Sequence, residues 1–174
     1  LPASYFFYKA TYPYLIYGAI ILLISFILDY ADGALARLRD QSSSLGAWFD
    51  HTSDEFSKVI MFLAITYGLY NLKQNIFIWL YGFLAITAYF VIGLLYLYYG
   101  KFFAFATDVI EKEKEKRKFL KQFFFIDPFV TTIIILAAFF NQFYYFLIFS
   151  TVYGWFFAIV MYCLLTKKAI KMTH

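Results

Sequence analysis

Four aspartates sit where an apolar chain should not carry them. Asp29 follows the nearly unbroken apolar stretch from Tyr14 to Leu28, and Asp32 comes three residues later. On a helix those two share a face. Asp50 and Asp54 are four apart and share a face in the same way. An aspartate at the centre of a membrane span costs about 2.5–3.5 kcal/mol on the insertion scale, so four at that depth would cost roughly 10 kcal/mol. A place nearer the membrane edge lowers the cost, but four like charges on adjacent antiparallel helices still repel. Water, protonation or a bound cation must offset them, and ionisable groups inside a membrane are functional candidates. Carboxylates without Cys or His partners are hard ligands for Mg²⁺, Mn²⁺ or Ca²⁺. Two helices with two carboxylates each can clamp two ions. Two ions suit phosphoryl transfer, because they neutralise phosphate oxygens and orient an in-line attack. The same groups also suit a proton- or cation-coupled pathway in a small transporter.

Small residues accompany the carboxylates. Gly33 follows Asp32, Ala36 lies three further on the same face, and Arg37 comes next. Gly46 precedes Asp50 by four and removes bulk from that face. Such residues open a groove in which a ligand can approach the backbone, and they equally allow close helix packing. Arg37 offers a planar fork for phosphate or a basic anchor at the membrane edge.

The elements that hold these groups are membrane helices. Of 174 residues, 63% are hydrophobic, 25% aromatic and 15% charged, against roughly 45–50% apolar and 25% charged in soluble domains. That composition excludes a soluble enzyme and a disordered chain, and the single Cys163 excludes an intrachain disulfide framework. Apolar runs cover Tyr14 to Leu28 (the helical pattern reaching Arg37), Phe56 to Tyr70 (beginning earlier, near Gly46), Ile76 to Tyr99, Phe123 to Phe140 and Phe143 to Thr166. They lack the two-residue alternation of a membrane β-barrel. The expected fold is all-α: a polytopic transmembrane helix bundle with five visible spans, forming one domain over residues 1–174.

Lys and Arg give the sidedness. If the first span ends in the cytoplasm, twelve of the fifteen basic residues lie on that side, from Arg37 and Arg39 through Lys101 and the run Lys112 to Lys121, to Lys167, Lys168 and Lys171. Lys9 and Lys73 lie on the other side and Lys58 within a span. This orientation puts residues 1–12 outside, so one further span is expected to precede them. The sign-alternating stretch Glu111 to Lys118 reads as a solvated helical extension, with an anionic-lipid role for its basic end as the alternative. No nucleic-acid partner is expected, because the basic residues follow the membrane edge.

The run from Asp29 to Asp54 resembles the signature of the CDP-alcohol phosphotransferase family, D-x-x-D-G-x-x-A-R-x8-G-x3-D-x3-D. All eight specified positions match within 26 of the 174 residues, including the eight-residue gap. The resemblance implies six transmembrane helices, with the signature across the second and third on the cytoplasmic side of a cell or internal membrane. It implies transfer of a phosphoalcohol group from a CDP-linked donor to a hydroxyl acceptor, with release of CMP, in phospholipid synthesis. It implies that Asp29, Asp32, Asp50 and Asp54 hold two divalent ions, Mg²⁺ or Mn²⁺, with Asp54 also the general base. Gly33, Ala36, Arg37 and Gly46 would line the cytidine and pyrophosphate pocket, and the enzyme would be a homodimer among membrane lipids. An intramembrane prenyltransferase also uses Asp-rich Mg²⁺ sites, but with two separated motifs.

The acceptor is less legible. The text Ser42 to Asp54, with Leu45-Gly46 and Phe49-Asp50-His51, looks like the aminoalcohol branch, and would put His51 near the acceptor. Lys58, one turn beyond Asp54, is a candidate for an inositol-phosphate-type acceptor, or a side chain that snorkels to the interface. Asp127-Pro128 is a further edge carboxylate, read as a helix cap with an acceptor-binding alternative.

Overall fold

The computed structural model describes residues 2–38, 44–105 and 126–173. Six helices lie among them: α1 (Pro2–Lys9), α2 (Tyr12–Leu38), α3 (Ser44–Lys73), α4 (Phe77–Phe105), α5 (Ile126–Phe139) and α6 (Phe143–Thr173). The described residues contain no strand, so the all-α expectation holds. Within the helices, the side chains of Gly33, Ala36, Arg37, Asp50, His51 and Asp127 lie outside the described residues.

Three helices are long and apolar enough to cross a membrane, over Tyr12–Asp32, Phe77–Leu95 and Phe143–Lys167. Only 17%, 28% and 17% of those stretches is buried within the chain. Helices so apolar and so uncovered need lipid or another protein around them. α5 carries a shorter apolar stretch, Pro128–Phe139. α3 has 30 residues, about 45 Å of helix, but Asp54, Glu55 and Lys58 dilute its apolar run. Its place in the bundle therefore depends on partners for those charges.

The turns at one end of the bundle have local causes. α1, α3 and α5 each stop at a left-handed residue: Ala10 (φ 53°), Gln74 (φ 49°) and Asn141 (φ 54°). There the chain turns back and donates to the last helical turn, through Gln74 N–H to Tyr70 O (2.7 Å) and Gln142 N–H to Ala137 O (2.7 Å). The Asn75 side chain then accepts from Phe77 N–H at 3.0 Å and caps α4. Pro13 falls in the first turn of α2, where its missing N–H costs nothing.

The core lies toward this same end. α1 wedges between α2 and α3, and Phe7, Leu15, Ile65, Ile78, Ile134 and Phe143 are essentially inaccessible. Phe7 meets Phe143 edge to face at 5.1 Å, within the favoured range for aromatic pairs. Gly68 lets the end of α1 come close: a Cβ there would sit 2.7 Å from the carbonyl oxygens of Phe7 and Tyr8. α4 and α6 form the most extensive helix pair. Gly154 faces Ala88 across it, and two α6 side chains bond α4 carbonyls, Thr151 Oγ1 to Tyr81 O at 2.9 Å and Trp155 Nε1 to Leu84 O at 3.1 Å. Lys73 stands 4.7 Å over the Tyr144 ring, and the Tyr12 hydroxyl donates to Phe139 O at 3.2 Å. These contacts bring the α1–α2, α3–α4 and α5–α6 turns together. The last turns of α2 and the first turns of α3 lie at the opposite end.

Candidate active site

α2 carries Asp29 and Asp32 into its last turns before Leu38, and α3 opens at Ser44 with Gly46, Asp50 and Asp54 on successive turns. The sequence pattern predicts a helix to Arg37 and another from near Gly46, and the observed ends, Leu38 and Ser44, agree. All eight signature positions thus fall at the end of the bundle away from the core. Asp29 and Asp32 are exposed, and Gly46 and Asp54 half-buried. Asp50, Gly33, Ala36 and Arg37 take their helical positions on the backbone, their side chains being outside the described residues.

Among the described residues, α2 and α3 make no close Cα approach, and each packs instead on α1. Among the described residues no cationic side chain pairs with Asp29 or Asp32, and no group of three His, Cys, Asp or Glu comes together to hold a metal. Because the Asp50 side chain lies outside the described residues, the four-aspartate set expected above falls partly outside them too. The donors that are described fit a hard divalent ion: carboxylate oxygens, accessible, with no described cation beside Asp29 or Asp32.

The site continues along α3. Gly46, Asp50, Asp54 and Lys58 recur every four residues and share a face. Lys58 is only 6% exposed. Its ammonium donates to the Tyr89 hydroxyl of α4 at 2.8 Å and lies 3.8 Å from the Glu55 carboxylate. The Tyr89 hydroxyl donates in turn to Glu55 Oε1 at 3.0 Å. Lys58 therefore turns inward rather than snorkelling to an interface. Glu55 and Tyr89 escaped the sequence reading. The three-residue spacing of Glu55 and Lys58 signals a helical ion pair, but nothing in the apolar run of α4 marks Tyr89 as their partner. Next to this knot, a small cleft of about 40 Å³ opens between α3, α4, α5 and α6, lined by Phe62, Ala85, Tyr89, Ile133, Phe146 and Phe149 among others. Polar groups would lose their hydrogen bonds against so apolar a lining.

A family model described as CDP-alcohol phosphatidyltransferase matches residues 1–166. The chain belongs to the CDP-alcohol phosphatidyltransferase family. Its members are transferases that move a phosphoalcohol group from a CDP-alcohol in lipid synthesis. The match covers all of α1 to α5 and most of α6, so it reaches far beyond the signature. No individual curated protein was found to match. With the apolar helices, membership makes this CDP-alcohol phosphatidyltransferase an integral membrane protein.

Proposed function

We propose that this protein transfers a phosphoalcohol group from a CDP-linked donor to a hydroxyl acceptor and releases CMP, in phospholipid synthesis at the cytoplasmic face of a membrane. One observation carries the reading: a complete signature whose halves end α2 and open α3, with Asp29 and Asp32 exposed and no described cation beside them. Asp29, Asp32, Asp50 and Asp54 would hold two Mg²⁺ or Mn²⁺ ions. When bound, these ions supply neutralisation of the phosphate charge and acidification of the acceptor hydroxyl. Gly33, Ala36 and Gly46 leave room for the cytidine and its phosphates, and Arg37 grips phosphate oxygens with its planar fork. Asp54 takes the proton of the acceptor hydroxyl. The acceptor oxygen then bonds to the phosphorus that bears the donor's alcohol. The bond from that phosphorus to the bridging oxygen breaks, and CMP leaves with that oxygen.

A lipid hydroxyl acceptor and an aminoalcohol-type donor are favoured by the resemblance of Leu45-Gly46 and Phe49-Asp50-His51 to the aminoalcohol branch. Lys58, the basic group nearest Asp54 on α3, is held by Tyr89 and Glu55. The small neighbouring cleft is lined mainly by apolar side chains. The homodimer remains part of this proposal, since the exposed apolar surface of α2 suits a second copy as well as lipid. The test is purified protein with CDP-aminoalcohol or CDP-diacylglycerol and a panel of acceptors, reading CMP. Release with CDP-aminoalcohol and diacylglycerol is expected. Release only with CDP-diacylglycerol and inositol phosphate would reverse the assignment within the family, and no release with any pair would reject it.

A further inference from the structure

The Lys58–Tyr89–Glu55 knot lies one helical turn from Asp54 and outside the chemistry described above. Burying a lysine is costly unless it finds good partners, and Lys58 is buried while Glu55 is half-buried. One tyrosine oxygen links the two, accepting from Lys58 at 2.8 Å and donating to Glu55 at 3.0 Å. Its consequence is mechanical. Glu55 and Lys58 are three residues apart, so both bonds grip the same turn of α3 from a single point on α4. The packing of Phe62, Ile65 and Gly68 holds the far part of α3, and the two bonds add a local constraint on the turn that carries Glu55 and Lys58. Asp54 immediately precedes Glu55 and shares the face of Lys58 four residues on. The direction of its carboxylate follows the rotation of that turn.

The geometry points to Tyr89 as a positioning residue for Asp54: its hydroxyl, clamped between Lys58 and Glu55, holds the α3 turn that aims the Asp54 carboxylate at the acceptor. The inference rests on the transfer reaction proposed above. Tyr89 acts through α3 and touches neither reactant. Its loss is therefore felt more in the chemical step than in donor binding, to which Gly33, Ala36 and Arg37 of α2 contribute independently of that turn.

The test compares the full chain with Tyr89→Phe, which removes one oxygen and keeps the ring, by steady-state kinetics at saturating Mg²⁺. Misplacement of a reacting group by about 1 Å costs up to about 10²-fold, so kcat should fall by about 10- to 100-fold while the donor KM stays within about two-fold. A second variant, Glu55→Gln/Lys58→Met/Tyr89→Phe, separates this from a merely structural role, because it leaves no buried charge. It should regain the thermal midpoint of the wild type and still show the low kcat. Glu55→Gln alone keeps an acceptor oxygen for Tyr89 and should retain most of the kcat, whereas Glu55→Met should not. Wild-type kcat in the folded triple variant overturns the inference, as does a loss that falls on the donor KM alone. If the wild type releases no CMP from any donor–acceptor pair, the transfer reading and this inference fall together. Equal turnover by wild type and Tyr89→Phe removes the inference alone.

Discussion

Asp54 and Arg37 belong to one signature but should fail in different ways. Asp54 is the deeper of the two signature carboxylates on α3 and the one next to the Lys58–Tyr89–Glu55 knot. If it deprotonates the acceptor, Asp54→Asn lowers kcat by roughly 10²–10⁴, the usual scale for loss of a general base. Arg37 sits near the end of α2, one residue before Leu38. Arg37→Lys keeps the charge and loses the fork, so the donor KM should rise more than kcat falls. Steady-state kinetics of both variants at saturating metal checks this pair. A near-normal kcat in Asp54→Asn with weakened metal affinity would make Asp54 a ligand only and shift the base to His51 or a metal-bound group.

At the scale of the element, the glycines of α3 and α4 differ in what they permit. Gly68 lets the last carbonyls of α1 rest on α3, and those are backbone atoms that cannot rotate away. Gly68→Ala should therefore cost about 1–3 kcal/mol, as overpacking does. A Cβ added at Gly93 would meet nothing within 4 Å, so Gly93→Ala should be neutral or stabilise α4 by up to about 1 kcal/mol. Thermal midpoints of the two variants in one detergent decide the point, and equal midpoints would refute the α1–α3 packing. The long helices were legible because apolar runs of this length leave few alternatives, and α2 and α3 begin and end within a few residues of their expected limits. α1 was not legible: its buried stripe of Ala3, Ser4 and Phe7 spans barely two turns, too short for periodicity to declare itself. The signature residues could be placed on their helices from the sequence, because they fall near two helix ends that the apolar runs already mark. The partnership of Tyr89 with Glu55 and Lys58 could not, because it joins residues more than thirty apart through the packing of α3 on α4.

At the scale of the molecule, the turns fall into two sets. Lys9 and Lys73 belong to the end that holds the core, where Lys9 stands 5.6 Å from the Tyr5 ring and Lys73 4.7 Å from the Tyr144 ring. This matches the aromatic belts that anchor proteins at a membrane interface. The proposed orientation puts that end outside and the signature end in the cytoplasm. In a Cys163→Ser background, cysteines at Ser43 and Asn75 should then label from opposite sides, and labelling of both from outside would contradict it. A largely uncovered α2 also predicts a homodimer by cross-linking in native membranes, whereas a monomer would mean that lipid alone covers α2.

The most direct test of the central claim is CMP release from a CDP-linked donor by wild type and by Asp50→Asn, with Mg²⁺ and with EDTA. Asp50 belongs to the proposed metal set and not to the proposed base, so this variant isolates the role of the carboxylates as ligands. The account predicts release by the wild type in Mg²⁺, none in EDTA, and none from a folded Asp50→Asn protein. Undiminished release in EDTA, or by Asp50→Asn, would contradict it.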